Sequence, residues 1–227
     1  MRKAFAAQLA ELERRIEDEL ERASVIVADI AEAIQIPGAD KPQEIAEEAR
    51  RLRRAGRMID TELVVVTARQ APVARDLRLV LALIEVAHHS VLIANQFDLI
   101  SEQLRNIGCA AGVGGATARS LSAMTHLGGS QLLHAVGAFA SRDLARAQRI
   151  DVEDDEIDKL NREVFEATLA LKDGSEEREW ALRHVLIARS IERIADNAVD
   201  IAEQAAFLVT SECCEFTDAS HPRRRTL

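Results

Sequence analysis

The sequence predicts an all-α protein made of two tandem three-helix bundles that are related by internal duplication. Only four prolines, no tyrosine and 30% charged residues among 227 positions favour long helices over β-strands. Helix-breaking residues divide the chain into six long amphipathic segments. The apolar pattern of the last segment recurs in the third segment after a shift of 101 positions, which indicates a repeat.

Five groups of breakers separate the segments, at positions 37–40, 70–72, 106–115, 141–143 and 172–175. Pro72 is expected to begin the third helix, because a proline in the first turn costs no helical hydrogen bond. We predict a first bundle at 1–107, a glycine-rich linker at 108–115, a second bundle at 116–212 and a flexible tail at 213–227. One continuous six-helix bundle is the alternative.

The last helix carries an apolar seam whose members alternate at spacings of four and three residues, as in a helix packed against other helices. The seam comprises Ile187, Ile191, Ile194, Ala198, Ile201, Ala205 and Leu208. In the first half its equivalent positions are Val86, Ser90, Ile93, Phe97, Ile100 and Leu104. Two seams in register predict two similar helical units, each able to bury its own stripe.

A strip of carboxylates runs beside the seam of the last helix, formed by Glu192, Asp196, Asp200 and Glu203. Asp154 and Asp158 lie one turn apart on the preceding helix. If these two helices are neighbours, four of the acids share a small volume, where like charges raise one another's pKa unless a cation neutralises them. Oxygen-rich sites of this kind suit Mg, Mn or Fe.

The alternative for the acidic strip is an ordinary solvated helix face. The strip lies away from the apolar seam, and Arg189 or Arg193 could pair with it. A surface position is therefore expected in either case.

The first half has lost most of these acids. The equivalents of Glu192, Asp196, Asp200, Asp154 and Asp158 are Val91, Asn95, Leu99, Gly56 and Asp60. We therefore expect one metal site, in the second half only. The face formed by Val91, Asn95 and Leu99 is a candidate surface for a partner or a second copy, and a wider core stripe is the alternative.

The net charge of −9 argues against nucleic acid and anionic membrane as partners. The amino-terminal residues lack the apolar core of an export signal, and three cysteines at no metal or redox spacing fit a reducing compartment. The expected location is the cytoplasm, without membrane insertion. Five arginines at 50–57 could form a basic helix face that approaches lipid, or could pair with Glu44, Glu47 and Glu48.

Three segments resemble the signature segments of the PhoU family of bacterial phosphate-signalling regulators. They read QAPVARDLR at 70–78, DDEID at 154–158 and ARSIERIAD at 188–196. The resemblance implies a cytoplasmic, dimeric negative regulator of the phosphate-starvation response, not an enzyme. Such a regulator couples the phosphate-specific ABC transporter to a sensor histidine kinase.

The resemblance also implies a carboxylate cluster that holds Fe, Mn, Mg or Zn on the bundle surface. Carried onto this chain, the metal role falls to Asp154, Asp158, Glu192 and Asp196, with Asp200 as an outer member. The rival function is a di-metal carboxylate enzyme on a helical bundle. That class uses two Glu-x-x-His pairs, and the chain offers only Glu85 with His88.

Overall fold

The computed structural model describes residues 2–35, 40–107, 115–172, 176–213 and 216. Within these ranges the chain forms seven helices and no strand, so the all-α prediction is confirmed. The helices are α1 Arg2–Gln35, α2 Lys41–Gln70, α3 Arg75–Ile107, α4 Ala116–Ser141, α5 Leu144–Ala147, α6 Ile150–Leu169 and α7 Glu176–Thr210.

Helix ends fall close to the expected breakers, with two differences. The four-residue helix α5 lies between α4 and α6 and was not expected; its amino terminus is capped by the Asp143 side chain, which accepts a hydrogen bond from the Arg146 backbone N–H at 3.0 Å. Helix α3 begins at Arg75, three residues after Pro72, so the prediction for this proline is wrong. Ala71 and Ala74, with φ of 43° and 48°, are left-handed and interrupt the helical path on both sides of it.

The apolar seams lie in the core as the pattern predicts. Ile187, Ile191, Ile194, Ala198, Ile201 and Ala205 of α7 are fully buried, and so are Val86, Ser90, Ile93, Phe97 and Ile100 of α3. The hydroxyl of Ser90, the polar member, donates to the Ala87 carbonyl oxygen at 2.7 Å. Burial of this residue therefore leaves no hydroxyl unsatisfied.

The two halves pack against each other along two helix pairs. Helix α1 lies against α4, and α3 lies against α7, so each pair joins equivalent helices of the repeat. Within the halves, α2 packs on α3 as α6 packs on α7. Buried side chains from all six long helices form one hydrophobic cluster. The bundle boundaries at 1–107 and 116–212 stay a prediction.

Close approach of α1 and α4 depends on a glycine. A Cβ built on Gly129 would lie 2.7 Å from the Ser24 carbonyl oxygen and 3.1 Å from the Ala28 backbone nitrogen. These contacts are with backbone, which cannot rotate aside, so only glycine fits at this crossing.

Helix α3 has the length and composition of a membrane span, with a mean hydropathy of 1.7 over 18 residues. In the fold 44% of that stretch is buried, and the helix packs against α2 and α7. These contacts are those of a central helix in a bundle.

The predicted linker at 108–115 lies outside the described residues apart from Gly115, and the predicted tail does so apart from Cys213 and Phe216. The backbone N–H of Phe216 donates to Glu203 Oε1 at 2.6 Å, and its side chain packs against the core.

Candidate functional site

The predicted acids lie on α6 and α7, two helices that pack against each other. Asp154 and Asp158 lie one turn apart on α6, whereas Glu192 and Asp196 lie one turn apart on α7, against which α6 packs. Asp154, Asp158 and Glu192 retain only 4%, 5% and 7% of their exposure, and Asp196 is half-buried.

The expectation of a surface site is therefore wrong for three of the four acids. The spacing of residues along a helix gives only the angle around the helix axis between the acidic strip and the apolar seam. It does not show which other helices cover the strip. Helix α7 contacts α3, α4, α5 and α6, and these four neighbours cover much more of its circumference than the seam alone.

One of these acids, Asp154, is contacted by a residue that the sequence pattern did not single out. Gln131 of α4 is fully buried, and its Nε2 donates to Asp154 Oδ1 at 3.0 Å and to the Ile150 carbonyl oxygen at 3.4 Å. Its Oε1 is buried without a hydrogen-bond partner. A buried amide oxygen beside a carboxylate is a suitable ligand for a hard cation.

Two arginines reach the buried acids from solvent. Arg189 forms an ion pair with Glu192, one turn along α7, and Arg162 Nη1 lies 3.8 Å from Asp158 Oδ2. Both arginine side chains are mostly exposed, at 57% and 63%. The pairing of Arg189 with the strip was one of the alternatives that the sequence offered. A guanidinium at these positions offsets part of the cost of burying carboxylates.

Asp200 belongs to a different contact, between α7 and α3. Its Oδ2 lies 3.4 Å from His89 Nδ1, which also lies 2.9 Å from Asn197 Oδ1. Burial raises the pKa of the Asp200 carboxyl and Glu85 raises it further, while His89 lowers it. Asp200 therefore lies in contact with α3, apart from the α6 acids.

The residues fit a metal in part. Carboxylate and amide oxygens are the right donors for a hard cation, and they are shielded from water. Within the described ranges, however, no three His, Cys, Asp or Glu side chains converge as ligands. With Arg189 and Arg162 on two of the acids, a cation would have to displace the guanidinium groups before it gained those oxygens.

The equivalent region of the first half is filled by packing and by an arginine. A Cβ on Gly56 would lie 2.4 Å from Ser90 Oγ and 2.9 Å from the Ala87 carbonyl oxygen, so α2 and α3 are in contact there. Arg53 donates to Asn95 Oδ1 at 3.2 Å and forms an ion pair with Asp98. The first half thus has a guanidinium where the second half has acids.

The candidate partner surface is not one apolar face. Val91 is half-buried beside Gly56, Asn95 is exposed and bound by Arg53, and Leu99 is 44% exposed. Its role as a docking surface stays a prediction.

The sequence is similar to that of known PhoU proteins. The PhoU domain model matches residues 121–205. The chain is 29% identical over 210 residues to the phosphate-specific transport system accessory protein PhoU homolog of Rhizobium meliloti, covering 91% of this chain and 87% of the relative. It is 27% identical over 217 residues to the PhoU homolog of Caulobacter vibrioides, covering 92% and 91%.

Two solved structures share the fold. The phosphate transport system regulatory protein PhoU from Streptococcus pneumoniae superimposes with a TM-score of 0.83 at 18% identity, covering 93% of this chain and 100% of that chain. PhoU from Pseudomonas aeruginosa gives a TM-score of 0.78 at 20% identity, with the same coverage.

Proposed function

We propose that this chain, as a member of the PhoU family, is a regulatory accessory protein of phosphate-specific transport. In this role it restrains the phosphate-starvation response by coupling the phosphate-specific ABC transporter to a sensor histidine kinase. It acts in the cytoplasm as a homodimer and performs no catalysis.

One observation supports this function above the others. Similarity to relatives named as accessory proteins of phosphate transport extends over 91% of the chain, so both halves of the repeat are included. A regulator needs surfaces for partners on a stable scaffold, and the shared core of six long helices supplies such a scaffold.

The regulatory role can be tested by deleting the gene and assaying alkaline phosphatase in high phosphate. Loss of a negative regulator should leave the enzyme constitutively active, and the intact chain supplied in trans should restore repression. Normal repression in a deletion strain that also lacks any paralogous copy would contradict the proposal.

The second part of the proposal is a single cation cluster in the second half. Asp154, Asp158, Glu192 and Asp196 are its ligands, Asp200 is an outer member, and Fe, Mn, Mg and Zn are the candidate ions. Three of the four ligands are buried on two helices that pack against each other, and a cation would offset the cost of burying their carboxylates. The unsatisfied Oε1 of Gln131 is a further oxygen beside Asp154.

Metal content of two equivalent variants tests this cluster. Asp158 of α6 and Asp60 of α2 occupy matching positions in the repeat, so Asp60→Asn is a matched control for Asp158→Asn. Elemental analysis of the purified proteins should show loss of the cation from Asp158→Asn and retention in Asp60→Asn. Equal metal content in both variants and the unmodified chain would exclude the site.

A di-metal carboxylate enzyme is the rival function, and burial of the acids gives it some support. An active site of this class is enclosed, and three of the four acids, which the sequence places on the surface, are buried. The family relatives are named as accessory and regulatory proteins, which favours the regulator. An oxygen-consuming or hydrolytic turnover that Asp158→Asn abolishes would favour the enzyme instead.

A further inference from the structure

Four arginines of α2 form a basic face on the surface of the bundle. Arg50, Arg53, Arg54 and Arg57 are spaced at i, i+3, i+4 and i+7, which places them on one side of the helix. They line an open groove of about 600 Å³ together with Met58 and Glu62. From Arg50 to Arg57 the helix rises about 10 Å, so the guanidinium groups form a short row.

Two of the arginines have no acidic partner among the residues that the structure describes. Arg53 is paired with Asp98, and Arg50 has a long contact of 3.8 Å with Glu47. Arg54 and Arg57 are exposed, and within the described part of the chain neither side chain forms an ion pair or a hydrogen bond. The expected pairing of this face with the glutamates of α2 is therefore confirmed only for Arg50.

Two acids at the groove, Glu62 and Glu47, are already engaged by other residues. Glu62 accepts hydrogen bonds from Arg15 at 3.0 Å, and Glu47 accepts one from Gln43 at 2.8 Å. Along the adjoining groove, Asp18 is paired with Arg14 at 2.6 Å and Glu19 with Arg51 at 2.9 Å. Within the described residues, the guanidinium groups of Arg54 and Arg57 thus form no ion pair with these acids.

This face is unusual in a chain whose net charge is −9. The overall field of such a protein repels anions, so an anion that binds must be held by local contacts. A guanidinium group binds phosphate through two parallel N–H···O hydrogen bonds. A surface lined by carboxylates has no such donors. A row of three arginines fits a ligand that carries several phosphate groups in succession better than it fits a single small anion.

We propose that the groove of Arg50, Arg54 and Arg57 on α2 is a binding site for a multiply phosphorylated ligand. Arg54 and Arg57 supply the direct contacts, and Arg50 adds a third once it releases Glu47. Met58, which is 50% exposed in the groove, offers an apolar contact beside the phosphates. Soluble polyphosphorylated molecules and the headgroups of an anionic membrane share this chemistry, and the test distinguishes them.

The test uses the full chain stripped of metal, so that no bound cation can carry the phosphate. Isothermal titration calorimetry with inorganic tripolyphosphate is compared with sulfate at equal ionic strength. A parallel sedimentation assay uses vesicles of phosphatidylglycerol and of phosphatidylcholine. The variant is Arg54→Gln with Arg57→Gln, and the control is Arg14→Gln with Arg22→Gln, which removes the same charge from exposed arginines that have acidic partners.

We expect saturable binding of one tripolyphosphate, weakened tenfold or more in the α2 variant and less than twofold in the control. Binding only to phosphatidylglycerol vesicles, lost in the same variant, would assign the phosphates to lipid headgroups. Equal weakening in both variants would overturn the proposal, since it would reveal a general charge effect. Sulfate binding as tight as that of tripolyphosphate, or no binding of either phosphate probe, would also overturn it.

Discussion

A Cβ placed on Gly56 would lie 2.4 Å from the hydroxyl oxygen of Ser90. Gly56 occupies the position in the first half that Asp154 occupies in the second. The first half therefore lacks the acid and also lacks the space for it, because α2 and α3 pack too closely at Gly56 to admit a side chain. The difference between the halves is steric as well as electrostatic.

Restoring the acid at this position should destabilise the fold without creating a site. Gly56→Asp introduces a side chain against the Ala87 backbone and a charge into a buried contact. We expect the free energy of unfolding in urea to fall by about 2 kcal/mol or more. Ala55→Asp, which adds the same charge at a half-buried neighbour, should cost much less. A Gly56→Asp protein that is fully stable and gains a cation would contradict this reading.

Replacing Gln131 by Met should reveal how much its amide stabilises Asp154. The substitution keeps the volume but removes the donor that lies 3.0 Å from a buried carboxylate oxygen. The expected loss is about 1–3 kcal/mol in the free energy of unfolding, measured by urea denaturation of the metal-free chain. Gln96→Met is the control, because Gln96 is also buried but forms no side-chain hydrogen bond within the described residues. Equal losses from the two variants would show that the bond to Asp154 adds little.

Glu17 should make the stability fall as the pH rises from about 4.5 to about 7. Burial raises the pKa of its carboxyl from 4.5 to about 7, with further increases from Glu13, Glu21 and Asp18 and an opposing effect from Arg142. Between the two values the folded chain holds a proton that the unfolded chain has released, so the contribution present below pH 4.5 is lost by about pH 7.

The variant Glu17→Gln keeps the neutral form at every pH. At pH 8 it should be more stable than the unmodified chain by about 1 kcal/mol, a figure reduced from the full pKa shift because the side chain is half-exposed. The difference should disappear below pH 4.5 in thermal melts across the range. An advantage that does not depend on pH would assign the effect to packing.

The crossing of α1 and α4 should tolerate alanine at one glycine and not at the next. Gly129→Ala places a Cβ 2.7 Å from the Ser24 carbonyl oxygen, whereas Gly128→Ala meets the Ile191 Cγ2 methyl at 3.1 Å, which can move aside. Both substitutions gain the same helix propensity, so their difference isolates the backbone contact. We expect Gly129→Ala to be less stable than Gly128→Ala by about 1–3 kcal/mol in urea denaturation. A reversed order would contradict the proposed close approach.

The sequence was most informative where a feature depends on one helix alone. The seams of α3 and α7 repeat at helical spacing, and every predicted seam residue except Leu208 is buried. The acidic strip was judged on the same single-helix basis, and there the prediction of solvent exposure failed. Whether Glu192 is buried depends on how the neighbouring helices pack around α7, and no pattern within α7 contains that information.

Residues that act between distant segments were missed for the same reason. Gln131 meets Asp154 across 23 positions, and its neighbours in sequence give no sign of a polar contact. The pairing of Arg53 with Asp98 across 45 positions could have been suspected, because Arg53 stands in an arginine-rich segment and Asp98 lies on the neighbouring helix of the same half. Opposite charges on two predicted neighbours were the available signal.

The joining of α1 to α4 and of α3 to α7 bears on how such a duplicated chain can diverge. A half that has lost its acids still covers the apolar sides of its twin, and its removal would expose them to water. Selection for stability alone is then sufficient to retain the first half, whatever chemistry it carries. That freedom is the condition under which one copy can acquire an arginine face while the other keeps its carboxylates.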